Sequence, residues 1–164
     1  SDVYKRQIMG YGHAPEHASL FCKELGVLIS GDMLLPRIST NVSVYDADPD
    51  ADPLGLYLDS IEKYLVLPED ALVLPSHGKP FTGIRPRVAQ LKAHHDDRLA
   101  DTLSACIKPV HAREIVPVLF KRELDIHQLT FAMGEAIAHL NYLLRRGKLR
   151  RQLCDDGVLR FSVV

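Results

Sequence analysis

The stretch "GHAPEHASLFCKELGVLISGD", residues 12–32, decides how this chain is read. Residues 18–23 and 27–31 are short and rich in aliphatic and β-branched side chains. Joined through Glu24, Leu25 and Gly26, they predict two strands of a hairpin. His13 precedes the first strand, and Asp32 follows the second, where a side chain can leave the sheet edge. His13, His17 and Asp32 are either solvated surface groups or part of a metal site, and residue types alone leave both readings open.

Outward from that stretch, residues 33–52 form a long loop punctuated by proline and aspartate. Asp52 and Pro53 supply an N-cap and a first-turn proline, with Leu54, Tyr57, Leu58, Ile61 and Leu65 at helical spacing until Pro68. "ALVLPSHG" (71–78) reads as a buried strand running into a turn that carries His77. If these strands are neighbours in one sheet, His13, Asp32 and His77 project from the same edge. From Arg85 the character changes. Val88, Leu91, His95, Leu99, Leu103 and Cys106 or Ile107 mark one face of a long helix that Lys108 and Pro109 end. A short helical segment with Pro117 inside it follows. Asp125 then caps a helix whose apolar stripe runs from Leu129 through Ala132, Ala136 and Leu140 to Leu144. The chain closes with a hairpin turning at Asp156 and Gly157. Helices closed by a β-hairpin are the order of a winged helix.

Composition excludes several classes. The 164 residues are 46% hydrophobic and 25% charged, as in an ordinary globular protein with a core, and the net charge is −1. No global basic field draws the chain to nucleic acid. Cys22, Cys106 and Cys154 are scattered, which argues against a disulfide framework and a cysteine zinc site. A reducing cytoplasm is the expected location. No apolar run approaches the ~18 residues of a membrane helix, and no signal peptide is visible. The opening "SDVYKRQ" resembles a translated sequencing-adapter scar, so residues 1–7 are set aside and the chain is expected to be a fragment.

"GHAPEH", "SGD" and "PSHG", in that order, resemble the second-half motifs of the metallo-β-lactamase fold hydrolases. The resemblance implies an α/β fold, the second half of an αββα sandwich, over residues 8–84. It carries a zinc-ligand role onto His13, a role bridging two zinc ions onto Asp32, and a second-zinc ligand role onto His77. His17 matches a position that is not a ligand. The implied chemistry is metal-assisted hydrolysis, in which a hydroxide held by two zinc ions attacks a carbonyl or phosphoryl centre and Asp32 is the catalytic carboxylate.

One departure is decisive. The first-half motif HxHxDH, source of the remaining ligands, is absent from the chain, and "HHDD" at 94–97 has the wrong spacing to replace it. His95 lies on the apolar stripe and His94 on the polar side. The isolated chain is therefore expected to bind zinc weakly and to be inactive. Residues 85–108 form a linker helix, and residues 109–164 resemble the winged-helix domain of one bacterial and mitochondrial branch of these hydrolases. "LPRISTNVS" (35–43) fits that branch's substrate-side loop, with Arg37 and Asn41 left without a role. The glyoxalase II-like resemblance implies a small-molecule partner, an acyl or thioester substrate. A zinc-dependent RNA nuclease and a non-enzymatic nucleic-acid-binding module are the alternatives. Arg145, Arg146, Lys148, Arg150 and Arg151 form a basic cluster that could contact phosphates, although a helix dipole also favours cations there.

Overall fold

The computed structural model describes residues 5–164. They form two compact units, one built from the chain up to residue 40 and from residues 55–93, the other from residues 41–54 and 94–164.

The first unit holds a four-stranded sheet in the order β1 (Lys5–Gly10), β2 (His17–Cys22), β3 (Val27–Gly31) and β4 (Leu72–Pro75). β1–β2 and β2–β3 are antiparallel, while β3–β4 is parallel. The expected hairpin is present within a residue of its predicted ends. β1 was not expected, and Lys5, Arg6 and Gln7, set aside as a scar, make up its first half by pairing with Cys22, Phe21 and Leu20. Arg6 and Gln7 are exposed. Main-chain ladder bonds continue β1 there without any demand on side-chain type. Residues 1–4 of that stretch lie outside the described residues.

Alternation gives the sheet two different faces. Ile8, Ser19, Phe21, Leu28, Ser30 and Val73 are buried. Leu20, Ile29 and Leu72, on the opposite face, remain 37%, 49% and 38% exposed. The helix α1 (Pro53–Glu62) and a 3-10 turn (Lys63–Val66) lie on the buried face. There Tyr64 Oη and Ser19 Oγ are 2.6 Å apart, Tyr11 N–H donates to Ser60 Oγ, and Lys63 Nζ donates to Met9 O. The tightening to a 3-10 turn explains one misplaced residue. With three residues per turn, Ile61 is followed inward by Tyr64 rather than by Leu65.

The long helix α2 (Ile84–Ala105) contributes its first half to the first unit and its second half to the other. Along it Val88, Leu91, His95 and Leu99 are buried as predicted, and His94 is exposed. Thr102 takes the buried place expected of Leu103, its hydroxyl donating to Arg98 O. The second unit continues with α3 (Ala112–Leu119), α4 (Ile126–Arg145) and the antiparallel pair β5 (Leu149–Leu153) and β6 (Leu159–Val163). Pro117 sits inside α3, which ends two residues later, so few ladder bonds are at stake. Asp125 caps α4 in a capping box with Gln128. An isolated bridge from Val110 to Phe161 ties the segment before α3 to β6. Among the described residues no helix is long and apolar enough to cross a membrane.

Candidate functional site

Strand direction brings the predicted residues together. β3 and β4 are parallel and β2 opposes them, so the start of β2 and the ends of β3 and β4 share one sheet edge. Gly31 closes β3 at φ +54°, a left-handed turn that suits glycine, and Asp32 leaves the sheet beyond it. His13 reaches the edge from the loop before β2, and His77 from the turn after β4.

His13 Nε2 lies 3.5 Å from Asp32 Oδ2, and His77 Nε2 lies 3.4 Å from Asp32 Oδ1. Each carboxylate oxygen thus faces a different imidazole. Both separations exceed the 2.7–3.2 Å of an ordinary N–H···O hydrogen bond. They match the ~3.4 Å expected between two donors each ~2.0–2.1 Å from a shared tetrahedral zinc ion. Neutral imidazole and carboxylate suit zinc, iron and manganese alike. Among the described residues no three His, Cys, Asp or Glu side chains form a group that would hold one ion alone. On either side of Asp32 the chain sets one imidazole nitrogen against one carboxylate oxygen.

Sequence reasoning missed the groups that fix Asp32. Ser76 donates its hydroxyl to Asp32 Oδ1, and Thr40 donates to the Asp32 carbonyl. The Ser76 N–H donates to Gly31 O, tying the β4 turn to the end of β3. Ser76 stands beside His77 in "PSHG", so only its neighbour could have drawn notice. His17 packs at the same edge, where a Cβ on Gly31 would run into its Nε2. Burial lowers the His17 pKa, with His13 adding to the effect and Asp32 opposing it. Asn41 belongs to the second unit, where its amide donates to Glu135 Oε2.

The basic cluster is largely committed within the second unit. Arg145 donates twice to Asp50 O, Arg146 pairs with Asp52 and stacks on Tyr142, Arg151 pairs with Asp50, and Arg150 donates to Ser162. The bonds to Asp50 and Asp52 tie α4 and β5 to residues 94 to 101 positions earlier in the chain.

Residues 5–77 match the family model described as the metallo-beta-lactamase superfamily, and residues 99–164 match that of the metallo-beta-lactamase-like C-terminal domain. Along most of its length the chain is thus similar to the metallo-beta-lactamase superfamily, a family of hydrolytic metallo-enzymes. Among its relatives, the probable metallo-hydrolase YqjP of Bacillus subtilis is 28% identical over 80% of this chain and 42% of its own length. A beta-lactamase domain protein of Burkholderia ambifaria is 59% identical, with a TM-score of 0.95 over 98% of this chain and 48% of that one. A metallo-beta-lactamase family protein of Thermus thermophilus is 32% identical, with a TM-score of 0.84 over 98% of this chain and 49% of that one. The chain therefore spans about half the length of each of these relatives.

Proposed function

We propose that the chain is the second half of a zinc-dependent hydrolase that cleaves small acyl or thioester substrates. The observation that carries this reading is the pair of histidine nitrogens set against opposite oxygens of Asp32 at 3.4 and 3.5 Å. His13, Asp32 and His77 would hold the metal, with the remaining ligands supplied by an HxHxDH segment that precedes residue 8. Bound zinc supplies a water of lowered pKa and a Lewis acid for the substrate oxygen. This chain's own residues keep that edge in place. Ser76 and Thr40 orient Asp32, and the left-handed turn at Gly31 aims it off the sheet.

The half-domain reading draws support from the sheet, whose Leu20, Ile29 and Leu72 face is a surface for a further layer to cover. We read α3, α4 and the β5–β6 pair as a winged helix and the location as cytoplasmic. The commitments of Arg145, Arg146, Arg150 and Arg151 favour a small-molecule partner over nucleic acid, because few cations of that cluster remain for phosphates. The test is to recover the sequence upstream of Ile8 and assay the completed chain on an acyl thioester. The reading expects an HxHxDH segment and a turnover that falls at least ~100-fold in His77→Ala. Upstream sequence without such ligands, or full activity in that variant, would end it.

A further inference from the structure

We propose that the cavity beside His77 receives the anionic oxygen group, carboxylate or phosphate, of an acyl substrate that also carries an apolar portion. This inference rests on the hydrolase reading of the same sheet edge. The cavity has a volume of about 580 Å³, and its lining includes Pro36, Arg37, Ile38, His77, Lys79 and Phe81. Two cationic residues therefore line it from two different segments, the loop after β3 and the turn after β4. Neither Arg37 nor Lys79 pairs with a carboxylate among the described residues. Three other cations of the same unit are engaged, Lys92 with Glu62, Lys63 with Met9 O, and Arg87 with two carbonyls.

The walls are built rather than incidental. Arg87, from α2, donates Nε to Leu35 O at 2.6 Å and Nη2 to Ile38 O at 2.8 Å, fixing the main chain on both sides of Arg37. Across the cavity Gly78 turns at φ +88° with Pro36 against it, where a Cβ would lie 2.6 Å from the ring. Lys79 follows directly from that turn. Two like charges around a concave, partly apolar surface give it a positive field that an incoming anion meets. The guanidinium fork and the ammonium are the donors that carboxylate and phosphate oxygens take. Pro36, Ile38 and Phe81 offer apolar surface to the rest of the substrate, and Ile38 is 61% exposed. With His77 in the same lining, the anionic group is anchored beside a proposed metal ligand, which makes Arg37 and Lys79 specificity residues for the reaction.

The experiment is a titration of the ¹⁵N-labelled, chelator-treated chain with 3-phenylpropionate, phenyl phosphate and the neutral 3-phenylpropionamide, following the amide signals of Gly78 and Lys79. At least one anion should shift them saturably, the neutral amide should not at the same concentrations, and added salt should weaken the effect. The tighter anion assigns the group as carboxylate or phosphate. Combining Arg37→Gln with Lys79→Gln should raise the Kd roughly ten-fold, while Arg37→Lys with Lys79→Arg should keep binding. Both side chains are exposed, so the rest of the spectrum should be unchanged and report an intact fold. Equal shifts from the neutral amide, or an unchanged Kd in the charge-removing pair, overturns the inference. Because no metal or turnover enters the measurement, its result stands apart from the thioester assay.

Discussion

Asp32 is held by Ser76 and Thr40 with its two oxygens facing two different histidines, so this edge depends on the turns that carry those groups. Gly78 puts that dependence to the plainest test. Its φ of +88° disfavours any side chain, and the Pro36 ring occupies the place of a Cβ. Gly78→Ala should therefore cost about 2 kcal/mol or more, from the left-handed backbone and from displacing a rigid ring. Urea unfolding reads this directly. A variant as stable as the parent would mean that the loop carrying Pro36 yields freely, and the cavity beside His77 would lose its fixed wall. That His13, Asp32 and His77 share one sheet edge was legible in the sequence, because each follows or precedes a strand. Ser76, Thr40 and Arg87 were not, because a hydroxyl or a guanidinium becomes a support only through the partner the fold brings to it.

At the scale of elements, α2 and α4 place His95 and His139 with ring centroids 5.6 Å apart, both buried. Burial, then His139 and His94, lowers the His95 pKa from 6.5 to about 3. Burial lowers that of His139 to about 4, with His94 and Arg98 contributing and the contact to Glu135 O opposing. Below about pH 6.5 the unfolded chain takes up protons that these folded histidines refuse, so stability falls as the pH drops toward 4. Glu135 acts in the opposite sense. Burial raises its carboxyl from 4.5 to about 7, against the Asn41 hydrogen bond, so its contribution is fully present below about 4.5 and is lost as the pH rises through 7. Two histidines outweigh one glutamate. Between pH 6 and 5 the second unit should lose about 1.4 kcal/mol per pH unit, and Glu135→Gln should roughly double that slope. Urea unfolding at pH 7, 6 and 5 checks both, and a slope unchanged in Glu135→Gln would contradict the assignment. Sequence periodicity placed α2, α4 and the closing hairpin because apolar spacing and the Asp125 cap are local signals. It missed β1, where "KRQIMG" carries one β-branched residue and pairs mainly through its backbone. It also left the arginines of 145–151 as an open cluster, since their partners Asp50 and Asp52 lie too far away in sequence to be paired by spacing.

For the molecule as a whole, a chain about half the length of its relatives carries an exposed sheet face, and on one edge His13 and His77 face opposite oxygens of Asp32. In the proposed reading a further half would cover the sheet and complete a metal centre around Asp32. The most direct measurement is the zinc content, by elemental analysis, of the chain joined to its own upstream sequence, compared with the Asp32→Asn variant. The account predicts about two zinc ions per chain in the parent and the loss of at least one in Asp32→Asn, with the circular dichroism of the two forms alike. A completed chain without stoichiometric metal, or one whose metal content is indifferent to Asp32, would contradict it.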